Sequence, residues 1–189
     1  MATPPQSFAS RAGLKLEHAL ATFGVDVVGL TCADLGSNAG GFVDCLLKRG
    51  AAKVYAVETG YGVLDWRLRK DSRVVVMERT NAMHVTLPEA VRVVTIDVSW
   101  TRQKNILPAA KRLATADGDV VTLIKPHYEA DKSLLRKGVL PPEAVPAVVD
   151  AARADAEAAG FDVVQTVESP IRGGEGNVEV LCWLKPRGA

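Results

Sequence analysis

Stretches of continuous apolar sequence alternate along this chain with stretches of helical pattern, and that alternation limits the fold more than any other feature. Apolar runs at residues 30–35, 53–58, 74–77, 91–97, 119–125, 161–167 and 177–184 have the length of strands. Helical patterns occupy 10–23, 40–49, 105–114 and 141–159. Ser10 stands where a helix cap belongs, Leu16, Ala19, Leu20 and Phe23 share one face, and Gly24 stops that helix. Gly50 and Gly160 close two others, and Pro141 opens the last, which is rich in Ala. A strand that is apolar on both sides must be covered on both sides. The pattern therefore predicts a mostly parallel sheet between two helical layers. The last two strands are joined only by S-P-I-R-G-G-E-G, too short for a crossover, so an antiparallel pair is expected there.

Length and composition fit one α/β domain. The chain has 189 residues, 48% hydrophobic and 24% charged, with a net charge of +1, so any nucleic-acid partner must be met by a local basic patch. Residues 1–6, with Pro4 and Pro5, read as a flexible terminus and residues 7–189 as the domain. Cys32, Cys45 and Cys182 are widely spaced in apolar surroundings, which predicts core thiols rather than a metal site or a disulfide framework. No run approaches the ~20 apolar residues of a membrane span, and no signal peptide is visible, so a cytoplasmic protein is expected.

The first strand breaks into Asp34-Leu35-Gly36-Ser37-Asn38-Ala39-Gly40-Gly41-Phe42, which opens the next helix. Ligands of open α/β sheets bind at the carboxyl ends of strands, and glycines let the backbone approach them. The spacing is not G-x-G-x-x-G, and an acid two residues before the first glycine suits a cofactor that carries an ammonium group. The amino-acid end of S-adenosylmethionine fits that description. Glu58 ends the next strand, where an acid accepts hydrogen bonds from ribose hydroxyls, and Asn81 follows the third, where an adenine edge should sit. The alternative is a turn of glycines flanked by solvated acids.

Further charges follow apolar runs. Asp97 ends the fourth strand in V-V-T-I-D and Lys125 the fifth in V-V-T-L-I-K-P. Glu179 alternates with Val178 and Val180 on a late strand, and Lys15 sits in the opening helix. A charge set in apolar sequence is costly unless paired, so these four pair for structure or for function. The fifth strand is expected beside the cofactor strand, which singles out Lys125.

The segments S-R-A-G-L-K-L, G-A-A-K-V-Y-A-V-E-T-G-Y-G, D-W-R-L-R, V-V-V-M-E-R-T-N-A, T-I-D-V-S, L-I-K-P and S-P-I-R-G-G-E-G-N-V-E resemble the TlyA family, within the FtsJ-like group of ribosomal RNA 2′-O-methyltransferases. The similarity runs over roughly residues 8–185. It implies a Rossmann-like class I methyltransferase fold with a seven-stranded sheet and an antiparallel last strand. It implies S-adenosylmethionine as cofactor, S-adenosylhomocysteine as product, and RNA, notably rRNA or a ribosomal subunit, as partner. The group's Lys-Asp-Lys-Glu tetrad maps onto Lys15, Asp97, Lys125 and Glu179. In that role Lys125 would orient or deprotonate the ribose hydroxyl, Lys15 would ease its loss of a proton by like-charge repulsion, and the two acids would hold the lysines. A methyl sulfonium needs no metal, and none is expected. The chain departs from the family pattern in four places. There is no room before Ser7 for the usual S4-type domain, the loop reads G-S-N-A-G-G, Glu58 replaces an Asp, and S-W-T-R-Q-K follows Asp97.

Arg11, Arg136, Lys137 and Arg172 lie on segments that flank these motifs and are expected to ring the mouth of the site and guide RNA. Lys132 shares a loop with two of them. Residues 67–73 are basic and read as a solvated helix end or a phosphate contact. Tyr61, Trp66 and Trp100 are candidates to stack a flipped base, Trp66 equally a core residue, and His127 and Tyr128 either line the pocket or pack. Competing functions are a non-catalytic RNA-binding relative, which the full tetrad opposes, and a nicotinamide oxidoreductase, which lacks its glycine fingerprint. A pore-former is the last, and no amphipathic or apolar segment suggests it.

Overall fold

A computed structural model describes residues 8–188, so the expected flexible terminus at 1–6 lies outside the described residues. The elements in order are α1 (Ala12–Phe23), β1 (Thr31–Leu35), α2 (Gly41–Lys48), β2 (Lys53–Val57), α3 (Trp66–Lys70), β3 (Val74–Met77), β4 (Val91–Ile96), α4 (Gln103–Leu113), β5 (Ala114–Ile124), α5 (Pro126–Glu129), α6 (Val145–Ala158), β6 (Phe161–Glu168) and β7 (Val180–Pro186). The strands form one seven-stranded sheet in the order β3-β2-β1-β4-β5-β7-β6. β1 to β5 run parallel, and β7 is antiparallel to both β5 and β6.

The apolar runs form strands because neighbouring residues feed opposite layers. Cys32, Val54, Val93 and Leu123 pack with α1 and α2 on one face. Ala33, Tyr55, Val94 and Ile124 pack with α4 and α6 on the other. With both faces covered, no position between them is free to be polar without a partner. After β3 the chain returns to the far side of β1, so the strand order reverses between β1 and β4. A crevice opens at such a point above the carboxyl ends of the strands. The main chain closes tightly there. Asp97 N donates to Leu35 O at 3.0 Å, and a Cβ at Gly36 (φ 88°) would come 2.7 Å from the Asp97 carbonyl oxygen.

Several expected boundaries move. β4, not β5, lies beside the cofactor strand β1. α1 begins at Ala12 with Arg11 as its cap residue, and Ser10 Oγ accepts from Ala12 N at 3.3 Å just outside. Pro141 precedes a short 3-10 turn at Pro142–Ala144, and the long helix starts only at Val145. β5 reaches back to Ala114 through an irregular register against Val91 and Val93. β7 starts at Val180, so Asn177 and Glu179 precede the strand, although Ser169 N still donates to Glu179 O at 2.9 Å.

Candidate active site

Three cavities meet at Asp97, the residue that follows β4. The smallest, about 80 Å³, is lined by Asp34, Gly36, Ser37, Asn38, Gly41, Phe42 and Ser10. A second, about 260 Å³, lies between Gly36, Asn38, Glu58, Asn81 and Ser99. The third is an open cleft of about 1040 Å³ walled by Lys15, Asp97, Lys125 and Glu179. Of the residues expected at a cofactor, only Gly40 lies outside these walls. Its φ of 96° starts α2, and a Cβ there would strike Leu68 and Leu64.

Asp34 is wholly buried on β1. Thr95 Oγ1 donates to its Oδ1 at 2.7 Å, and its Oδ2 is buried without a hydrogen-bond partner among the described residues. Burial pushes its carboxyl up to about 7. That oxygen is a buried polar group which the fold itself leaves unsatisfied and which faces the smallest cavity. The sequence signal for Thr95 is a hydroxyl inside the apolar run V-V-T-I-D. Glu58 accepts from Asn38 N at 2.9 Å and Gly60 N at 2.7 Å, so the glycine loop is fastened to the end of β2.

The four charges of the cleft form two ion pairs. Lys15 Nζ lies 2.5 Å from Glu179 Oε2 and Lys125 Nζ lies 2.6 Å from Asp97 Oδ1. Their side chains are 3–16% exposed. Removing one member of a buried pair costs about 3–5 kcal/mol, because it strands the other charge. Each ammonium is matched by a carboxylate, so the expected repulsion between the lysines is largely balanced. Gly173 makes room for this arrangement, since a Cβ there would collide with Glu179.

The outer wall carries further basic and aromatic groups. Arg102 and Lys132 line the cleft, as do Trp100, His127 and Tyr128. Trp100 is 66% exposed and leans on Tyr128 at 5.4 Å between ring centroids. Asn177 is buried and ties two wall loops together, accepting from Leu140 N at 3.0 Å and donating to Gly138 O at 3.1 Å. Arg11, Arg136, Lys137 and Arg172 are exposed, and none of them lines the cleft. Arg11 donates to Arg172 O at 3.4 Å, and Arg136 lies 3.9 Å from Glu143. Trp66 is 62% exposed, with Lys70 over its ring at 4.3 Å, so it is not a core residue. The three cysteines are buried and free, as expected.

A crevice at the strand reversal with an acid-and-glycine loop is shared by many nucleotide-binding enzymes, so the chain as a whole must decide the family. Residues 8–186 match the family model described as FtsJ-like methyltransferase. The chain belongs to that family. Among curated FtsJ-like relatives, YqxC of Bacillus subtilis, whose name assigns it provisionally to rRNA methylation, is 42% identical over 95% of this chain and 66% of its own length. The 16S/23S rRNA (cytidine-2′-O)-methyltransferase TlyA of Mycobacterium tuberculosis is 41% identical over 95% of this chain and 69% of its own. The chain thus spans about two thirds of these relatives. A solved structure from Streptococcus thermophilus, described as a hemolysin, superposes with a TM-score of 0.95 at 36% identity, covering 100% of this chain and 70% of that one. A solved structure from Listeria monocytogenes, described as an S-adenosylmethionine-dependent methyltransferase and 17% identical with a TM-score of 0.70 over 95% of this chain and all of its own, shares the fold alone. Among the described residues no helix is long and apolar enough to cross a membrane, and no cluster of three metal-ligating side chains is present.

Proposed function

We propose that this chain is an S-adenosylmethionine-dependent RNA methyltransferase that methylates a ribose 2′-hydroxyl of ribosomal RNA. The observation that carries this reading is the meeting of all three cavities at Asp97, beside two lysine–carboxylate pairs. Support for rRNA as substrate comes from the names of the TlyA relatives, and such a substrate implies work in the cytoplasm.

The residues present fit the cofactor. The unpartnered, buried Oδ2 of Asp34 suits an ammonium group, with Gly36, Ser37, Asn38, Gly41 and Phe42 around the amino-acid end. Glu58 and Asn81 would hold the ribose and adenine edges. Asp97 serves both sides. When bound, S-adenosylmethionine supplies a methyl group made electrophilic by a sulfonium, and S-adenosylhomocysteine is the product. The protein's part is to place a hydroxyl oxygen against that methyl. Holding reactants at attack distance supplies up to ~7–11 kcal/mol in good cases. Lys125, fixed by Asp97, would hold the oxygen, and Lys15, fixed by Glu179, would keep the field at the cleft balanced. Arg11, Arg136, Lys137 and Arg172 would gather the RNA backbone outside the cleft, with Arg102 and Lys132 at its wall.

Calorimetry tests the cofactor half of this reading. S-adenosylmethionine should bind and NAD should not, and Asp34→Ala should weaken binding by roughly 1.5–3 kcal/mol, the worth of a charge-assisted hydrogen bond. Equal affinity of wild type and Asp34→Ala would remove Asp34 from the site, and NAD binding would favour an oxidoreductase.

A further inference from the structure

The amino-acid end of a methyl sulfonium donor carries an ammonium group, and the chain must meet it with negative charge. Among the described residues the smallest cavity is walled by two acids, Asp34 and Asp97, and by no lysine, arginine or histidine. Asp97 is engaged by Lys125 at 2.6 Å. Asp34 is then the acid left for a ligand, and the sharing of its two oxygens decides what it can bind. In register, Asp34 stands beside Ala56 of β2 and Thr95 of β4. An alanine side chain makes no hydrogen bond, so of these two strand neighbours Thr95 alone can hold the acid.

Thr95 is as fully buried as Asp34. Its Oγ1 donates to Asp34 Oδ1 at 2.7 Å, and a second acceptor, Ala33 O, lies at 3.5 Å. A hydroxyl has one hydrogen and two lone pairs, so it can serve either charge state of the acid. Toward the carboxylate it donates. Toward the protonated acid it accepts, and its own hydrogen turns to Ala33 O. With Oδ1 so held, Oδ2 is the oxygen left without a partner on the side of the cavity. Burial raises the carboxyl to about 7, and Asp97 and Glu58 push the same way, while Thr95, ahead of Ser37, draws it down. Cys32, two residues back on β1, keeps its proton, its thiol pushed up to about 12 by burial. α1 and α2 turn Ala12, Gly41 and Phe42 to the cavity, and none of these titrates.

We propose that Thr95 is a positioning residue of the cofactor site, its hydroxyl holding Oδ1 of Asp34 so that Oδ2 meets the ammonium of S-adenosylmethionine as a carboxylate. This rests on the methyltransferase reading above. On binding, the proton of Asp34 leaves to solvent and the hydroxyl of Thr95 turns from Ala33 O to Oδ1. Both oxygens are then satisfied, one by the fold and one by the ligand. A valine has nearly the shape of threonine but neither donor nor acceptor. Thr95→Val therefore strands Oδ1 and favours the protonated acid, which has no charge to offer an ammonium.

Two measurements test this. In the first, calorimetry from about pH 5.5 to 8.5 compares wild type, Thr95→Val, Thr95→Ala and Thr95→Ser. The ligands are S-adenosylhomocysteine, which keeps the amino-acid end of the cofactor, and methylthioadenosine, which lacks it. Thr95→Val and Thr95→Ala should bind S-adenosylhomocysteine about five- to fiftyfold more weakly at pH 7, and the gap from wild type should narrow as pH rises further. All four proteins should bind methylthioadenosine alike, and Thr95→Ser, which keeps the hydroxyl, should follow wild type throughout. In the second, carboxyl carbon NMR of the aspartate-labelled chain is recorded without ligand. The signal missing from Asp34→Asn should titrate near 7 in wild type and at higher pH in Thr95→Val. Wild-type affinity for S-adenosylhomocysteine in Thr95→Val and Thr95→Ala overturns the proposal. So does a loss of equal size at every pH, or one shared by methylthioadenosine, either of which would make Thr95 a packing residue only. An Asp34 signal that titrates alike in wild type and Thr95→Val overturns it as well. A wild type that binds neither ligand overturns the cofactor reading itself. The NMR titration separates that failure from a failure of Thr95.

Discussion

Asp34 titrates where a binding experiment can see it. Burial holds its carboxyl at about 7 in spite of the hydrogen bond from Thr95, so near neutral pH a large fraction of the free protein carries a proton there. An ammonium partner needs the carboxylate, so cofactor binding must expel that proton. Affinity for S-adenosylmethionine should therefore rise with pH, by up to about tenfold per unit below pH 7, and level off near 7. Calorimetry in buffers of different ionisation heat should detect the released proton, and Asp34→Asn should bind weakly with no such slope. Affinity independent of pH would contradict the assignment. The acid was legible because it interrupts an apolar run before glycines, as Asp97 and Lys125 were because each closes one. The partner of Lys15 was not legible as geometry. Glu179 stands 164 residues away, and only the sheet order brings α1 and the start of β7 together.

Loops beyond the strand ends depend on single polar groups. Glu78, just past β3, accepts from the N–H groups of Gly62 at 2.9 Å, Val63 at 3.1 Å and Leu64 at 3.4 Å, and Arg69 lies 2.5 Å away. The Gly62 N–H first, and then Arg69, hold its carboxyl down at about 2. A depressed carboxylate contributes stability that is fully present above its ordinary value of 4.5 and is lost as pH falls through about 2. Glu78→Gln should lower the melting temperature at neutral pH and speed hydrogen exchange at Gly62, Val63 and Leu64. The difference from wild type should shrink as pH falls toward 2. A gap of constant size across that range would show that the charge is not what holds the loop. The strands themselves were legible to within a few residues, because continuous apolar runs have one outcome in a covered sheet. The early start of β5 was not, because A-T-A-D-G carries no apolar pattern and is extended only by its register with β4. Pro141 carries the signal of a helix start, but its ψ of 139° is extended, and the regular helix waits for Val145.

With a net charge of +1, the molecule as a whole is not a polycation, so the proposed RNA would have to be met by local charge. Arg136 and Lys137 stand exposed on the loop that forms the outer wall of the cleft, and reversing both to Glu should flatten the salt dependence of RNA binding. An unchanged slope would show that RNA enters elsewhere and that Arg136 and Lys137 are only solvated surface. The charge that the account depends on most is Lys125. Its pair with Asp97 is the more exposed of the two, so its loss is the gentler on folding and the more informative for chemistry. The decisive measurement is single-turnover transfer of labelled methyl to ribosomal RNA, with the product digested to nucleosides to locate the methyl group, for wild type and Lys125→Ala. The methyl should appear on a ribose 2′-oxygen. Lys125→Ala should bind S-adenosylmethionine nearly as well as wild type yet react roughly 10²–10⁴-fold more slowly, the range expected on losing a group that orients or deprotonates the attacking oxygen. A methyl group on a base, or a wild-type rate in Lys125→Ala, would contradict the account.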